Sequence, residues 1–229
     1  MISTDFLSRH ALTLLLALGA LFTYIWLRKC RTRLDIPRPG ALVLSLLHVV
    51  VGVCSVKLFA VLEAFGNPDA VGNMSLFGGV FFMPLFYWYA AKVTKRKVAD
   101  VFDVFTICLV FTLLCARVNC ILSGCCQGAF IPGTALRFPT RELELAFYVV
   151  LLFWLGRCVL TGAKRGEIYP LYMMSYGIFR AITECFRASD SPLGIFHLAH
   201  IWSLLSLCIG AGIYFELRKR EKRGGRYHG

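Results

Sequence analysis

The sequence predicts an all-α, polytopic membrane protein of seven transmembrane helices, with its amino terminus outside and its carboxyl terminus cytoplasmic. Three observations lead there. Apolar residues fill 58% of the 229 positions and charged residues only 17%, where ordinary soluble domains have about half and about a quarter. The apolar residues fall in blocks long enough to cross a bilayer, and mean hydropathy is +0.67. The Lys and Arg behind the net charge of +12 sit mostly in short clusters between those blocks. Such clusters orient a membrane protein, so the basic balance is not a nucleic-acid signal.

The first block, 11–27, is followed by RKCRTR (28–33) and by no small-residue cleavage site, which marks a retained helix rather than a secretory signal. The second, 41–65, carries Lys57, and the turn-rich GNPDAVGN (66–73) leads out of it. The third, 75–91, contains Gly78-Gly79, a pair that permits tight helix contact or access of a lipid to backbone. KVTKRK (92–97) follows it. The fourth, 102–123, holds Asp103 and Arg117, and a long connection runs from Gly124 to Arg141. The fifth, 144–160, ends at AKR (163–165). The sixth, 168–186, leads into RASDSPLG (187–194), and the seventh, 197–217, ends at RKREKRGGR (218–226). Each basic cluster follows an odd-numbered span, so all four share one side, which the positive-inside rule makes cytoplasmic. Connections are short and free of repeats, so residues 1–229 are expected to form one integral membrane domain.

Ionisable residues inside a membrane span are costly and are functional by default. Asp103, near the cytoplasmic end of its helix, reads as an interfacial partner of the basic cluster at 95–97. Lys57, Arg117, Arg180 and Glu184 instead all fall roughly 5–10 Å to the outer side of their helix midpoints, at about 1.5 Å per residue. Three helices thus bring charge to one depth. Tyr169, Tyr172, Tyr176, Arg180, Glu184 and Arg187 recur at helical spacing and draw one polar stripe. Such a stripe lines a bundle interior or a wet cavity, and Arg180 and Glu184 can pair at i,i+4. An inter-helix ion pair that only holds the bundle together is the plain alternative. The guanidinium fork matches phosphate oxygens, and the anion most available at that depth is a phospholipid headgroup. Two arginines can clamp a phosphodiester and stabilise its charge as it leaves.

Several of the ten cysteines (Cys54, Cys108, Cys115, Cys158, Cys185 and Cys208) lie inside apolar blocks, where a thiol behaves as a small hydrophobe. Cys120, Cys125 and Cys126 have C-x4-C-C spacing, which departs from the usual zinc pattern. A vicinal disulfide or simple packing is the main expectation there, ahead of a metal site completed by His197 and His200 or a catalytic thiol. The two histidines read first as interfacial polar groups. Gly124 and Gly128 read as turn or close-approach positions.

The elements SLFGGV (75–80), DVFD (100–103), ARVNCILSGCCQG (116–128), FPT (138–140), YMMSYGIFRAITECFR (172–187) and His200-x-x-Ser203 occur in this order. Together they resemble the prolipoprotein diacylglyceryl transferases, over most of residues 50–205. The resemblance implies a bacterial inner-membrane enzyme, its site facing the outer leaflet, that moves diacylglycerol from phosphatidylglycerol to the lipobox cysteine of a precursor lipoprotein and releases glycerol phosphate. It places the family's two essential arginines on Arg117 and Arg180 and an acidic partner on Glu184. Lys57, Gly78, Gly79, Gly124, Gly128, Tyr176 and Arg187 are the expected substrate-binding residues, and neither metal nor other cofactor is expected. The chain departs from the family pattern where Phe77 replaces a histidine before the glycine pair. FPTRELE likewise carries Phe138 and Leu143 for a histidine and a tyrosine. Glu184, Glu142 and Glu144 are the candidates to replace the missing base. A non-catalytic lipid- or partner-binding relative is the second expectation. An anion or lipid transporter is the third, disfavoured because the inner half of the spans is nearly all apolar.

Overall fold

The computed structural model describes residues 4–64, 74–162, 165–187 and 198–224. They form α1 (Thr4–Lys29), α2 (Arg31–Leu34), α3 (Arg38–Glu63), α4 (Phe77–Phe81), α5 (Met83–Thr94), α6 (Val98–Leu122), α7 (Thr140–Thr161), α8 (Ile168–Glu184) and α9 (Leu198–Gly224). The described residues contain no strand, only isolated antiparallel bridges Gly128–Arg187 and Phe130–Arg137. The class is therefore all-α, as composition and block length require. The turn at 66–73, Ala163, Lys164, the stretch 188–197 with His197, and the tail 225–229 lie outside the described residues.

Five helices, α1, α3, α6, α7 and α9, are long and apolar enough to cross a membrane. Helix α6 is the axis of the bundle: 67% of its apolar window is buried, against 33% or less in the other four. Helices α1, α5, α7 and α8 pack around it. Large apolar side chains such as Leu85, Phe153 and Phe215 are about two-thirds exposed, an outer surface suited to lipid rather than water.

The third expected span is not one continuous helix. Pro84, near the start of α5, has no N–H to return to the Val80 carbonyl four residues earlier, so α4 stops at Phe81 and α5 starts at Met83. The Tyr169 hydroxyl donates to that Val80 carbonyl instead, which ties the break to α8. Helix α4 also presses on α3: a Cβ on Gly78 would lie 2.1 Å from the Ser55 carbonyl oxygen. Close approach also joins α8 to α9, where Gly177 faces the Ser203 carbonyl and Gly210 faces Met173.

Asp103 does not pair with the 95–97 cluster. With Asp100 it turns into the bundle, one helical turn apart, and meets Arg33 at 3.1 Å. Its carboxylate also accepts the backbone N–H groups of Gly166 at 2.6 Å and Ile168 at 3.1 Å, satisfying donors left over where α8 begins. Asp100 takes the Arg165 fork, with Nε donating at 2.6 Å. Arg96 goes to Asp35 at 3.2 Å. This brace sets the position of the lower end of α8, and hence of the polar stripe above it.

Candidate functional site

The charges of α6, α7 and α8 meet in one buried chain. Arg117 Nε on α6 contacts Glu144 Oε2 on α7. Arg180 Nη1 on α8 lies 3.4 Å from the other Glu144 oxygen, and its Nη2 lies 2.7 Å from Glu184 Oε2. Arg187 Nε ends the chain 3.9 Å from that Glu184 oxygen. Arg117, Glu144, Arg180 and Glu184 are all less than 9% exposed, and the Arg187 side chain is 20% exposed. Among the described residues the chain sets three guanidiniums against two carboxylates, with the Glu63 carboxyl at the end of α3 within electrostatic reach. The pairing explains how so much charge is tolerated here, since buried charges survive only when paired.

Helix periodicity makes the cluster. Arg180 and Glu184 are one turn apart on α8, and Tyr176 and Tyr172 continue the same buried face below them. The Tyr172 and Tyr176 rings stack at 5.9 Å, and both hydroxyls are buried without a hydrogen-bond partner among the described residues. Phe77 sits edge-on to Tyr176 at 5.5 Å, so an apolar ring borders the polar stripe. Beside the network a narrow apolar cleft runs between α1, α3, α4 and α6, lined by Leu12, Val56, Gly79, Leu113 and Ala116 among others. It ends one residue short of Arg117.

The connection after α6 folds back over the network. Gly124 takes φ +67° and Cys126 φ +57°, conformations open to glycine and unusual for cysteine. Ala129 N–H donates to the Phe186 carbonyl and Phe138 N–H to the Ala129 carbonyl, each at 2.9 Å. The Phe138 and Phe186 rings stack at 4.2 Å. Gly128 is squeezed between these segments; a Cβ there would lie 2.1 Å from the Phe138 carbonyl oxygen. The hydrogen bond from the Cys120 thiol, with Arg187 and Arg117 behind it, holds Cys126 well below the usual thiol range against the opposing effect of burial.

The sequence-predicted residues divide. Arg117, Arg180, Glu184, Arg187 and Tyr176 come together. Gly78 is taken up by the α3 contact, Gly79 lines the apolar cleft and faces Leu109, Gly128 serves the fold-back of the loop, and Gly124 makes its turn in open space. Lys57 is half-buried on α3 and forms no ion pair among the described residues. Glu144, which the sequence offered only as one possible base, is the hub. The expected span began at 144 and left it at a helix edge, whereas α7 starts at Thr140 and carries it a turn inward. Glu63, at the end of α3, hydrogen-bonds Ser75 and lies within electrostatic reach of Arg180 and Glu184; its place at a span end gave no sign of this. His200 Nε2 lies 3.5 Å from Cys185 Sγ, away from the three loop thiols.

The family profile described as prolipoprotein diacylglyceryl transferase matches residues 2–216 of the chain. A Dehalococcoides mccartyi protein named phosphatidylglycerol–prolipoprotein diacylglyceryl transferase is 22% identical over 234 residues, covering 91% of this chain and 90% of its own. A protein of the same name from Helicobacter pylori is 25% identical over 186 residues, 73% of this chain and 66% of its own. One from Polaromonas naphthalenivorans is 29% identical over 143 residues, 56% of this chain and 52% of its own.

Proposed function

The chain belongs to the prolipoprotein diacylglyceryl transferase family, and on that premise we propose that it moves the diacylglyceryl group of phosphatidylglycerol to the lipobox cysteine of a precursor lipoprotein. The observation that carries this reading is the buried chain of Arg117, Glu144, Arg180, Glu184 and Arg187, which gathers three guanidiniums at one place. In the proposed reaction the acceptor sulfur bonds to the glyceryl carbon, the bond from that carbon to the phosphate oxygen breaks, and glycerol phosphate leaves. The thiol proton passes to a base.

Arg117 and Arg180 hold the phosphodiester and take up charge as the leaving group forms, the kind of electrostatic help that is worth most where water is excluded. Glu144 is a positioning residue, fixing both guanidiniums from between them. Tyr172 and Tyr176 offer buried hydroxyls to headgroup oxygens, and the apolar cleft at Ala116 gives the acyl chains a place beside the arginines.

The same reading sets the topology. Helices α4 and α5 together cross as one broken span, and the 17 residues of α8 cross as another, about 26 Å at 1.5 Å per residue. That brings the spans to seven in one integral domain, the basic clusters inside and the amino terminus outside. The site then faces the outer leaflet of a bacterial inner membrane.

Reconstitution in phosphatidylglycerol vesicles with a lipobox peptide tests the function. The expected outcome is a peptide heavier by one diacylglyceryl group; a folded protein that leaves the peptide unmodified would overturn it. Phe77, packed against Tyr176 where relatives are expected to carry a histidine, favours a second reading as a lipid-binding relative without transfer. Binding of phosphatidylglycerol with no peptide modification and no glycerol phosphate is its signature.

A further inference from the structure

Cys120, Cys125 and Cys126 converge although they straddle a turn. Their sulfurs lie within 4.8 Å of one another. Cys120 belongs to the last turn of α6, and the chain reverses through Gly124 in the left-handed region. The reversal is tied down: Cys125 N–H donates to the Cys120 carbonyl at 3.2 Å, and Gln127 Nε2 to the Gly124 carbonyl at 3.1 Å. Cys126 is itself left-handed, a conformation that side chains avoid and that persists only when the surroundings impose it.

A disulfide uses two sulfurs and leaves no reason for the third to join them. Three sulfurs within 4.8 Å of one another can bind one ion, and thiolates select soft ions. The neighbourhood suits the negative charge that such a centre carries: Arg117 Nη1 lies 3.9 Å from Cys120 Sγ, and Arg141 Nη1 donates to the Cys125 carbonyl. Among the described residues no fourth His, Cys, Asp or Glu joins the group, and His200 is engaged with Cys185. Zinc sites take four ligands as a rule, whereas a monovalent d10 ion is content with three sulfurs.

We propose that Cys120, Cys125 and Cys126 form a three-sulfur site for a soft monovalent cation, copper(I), which clips the loop after α6 beside Arg117. Each thiol gives its proton to solvent as its sulfur bonds the metal; no electron is transferred. Because the Cys126 carbonyl accepts from Thr140 and the Cys125 carbonyl from Arg141, the clip couples the end of α6 to the start of α7. The site stands apart from the transferase reading and does not need it.

Full-length protein in detergent, reduced and stripped of metal, is titrated with copper(I) against a chromophoric copper(I) chelator without oxygen. The proposal expects one copper per chain, a thiolate-to-copper charge-transfer band and proton release. Cys120→Ser and Cys126→Ser should each weaken binding by more than the roughly 10–100-fold typical of changes around a metal's ligands, and Cys185→Ser should leave it intact. A footprint on the unmutated protein keeps the test independent of variant folding. Copper should shield the three thiols from iodoacetamide while the exposed Cys185, just past the end of α8, labels unchanged. Loss of copper to the chelator as easily as from a Cys120→Ser/Cys126→Ser double variant would overturn the proposal. So would equal labelling of the three thiols with and without copper, or a disulfide among them in the protein before reduction.

Discussion

Glu144 on α7 reaches Arg180 on α8, Oε1 to Nη1 at 3.4 Å, with both side chains less than a tenth exposed. Its second oxygen goes to Arg117, so one carboxylate sets the spacing of two guanidiniums from separate helices.

Glu144→Gln should therefore damage both fold and function. It leaves two buried cations facing each other without their shared counter-charge, a loss of about 3–5 kcal/mol for a broken buried pair. A clear drop in melting temperature in detergent, together with loss of peptide lipidation, is expected. Unchanged melting would mean that Glu144 is not the structural hub.

Arg180→Lys keeps the charge and gives up the fork. A lysine ammonium cannot bridge Glu144 and Glu184 while presenting paired N–H groups to a phosphate. Glycerol phosphate release should fall by roughly 10²–10³-fold, with a smaller drop in melting temperature than Glu144→Gln causes, because the positive charge is kept. Near-parental turnover would show that only the charge matters.

Tyr169→Phe tests the broken third span. The Val80 carbonyl, already without its helical partner because of Pro84, would be left buried and unpaired, at a cost of about 1–3 kcal/mol. Chemical denaturation should report that loss, and no change would rule out the tyrosine as the replacement donor.

Gly128→Ala should detach the loop. Its Cβ would meet the Phe138 carbonyl oxygen and the backbone there cannot yield without separating the two segments. Faster proteolysis between residues 124 and 139, with the helices otherwise protected, is the expected result. Gly124→Ala meets no neighbour but a positive φ, so it should cost about 1–2 kcal/mol and leave the loop resistant.

Much of this was legible in the sequence because the bilayer makes charge expensive. Arg117, Arg180 and Glu184 declare themselves by their depth, and the α8 stripe by its spacing. What the sequence did not reveal depends on partners far along the chain. Chain position places Asp103 beside neighbouring lysines and an arginine, but a carboxylate facing the bundle interior meets Arg33 and the start of α8 instead. The apolar block alone makes Glu144 a helix-end acid, whereas α7 begins at Thr140 and buries it. The break at Pro84 was written in the sequence, yet composition alone read 75–91 as one apolar block. The meeting of Cys120 with Cys125 and Cys126 needed a left-handed turn that no spacing rule supplies.

On the proposed function, Arg117 and Arg180 serve turnover of phosphatidylglycerol toward a thiol. One reaction tests it most directly: purified protein, phosphatidylglycerol and a lipobox-cysteine peptide, with glycerol phosphate and peptide mass counted together beside an Arg180→Ala variant. Equal amounts of glycerol phosphate and lipidated peptide, both lost in the variant, are predicted. Folded parent protein that releases no glycerol phosphate, or a variant that releases as much as the parent, would show that Arg180 does not serve this reaction.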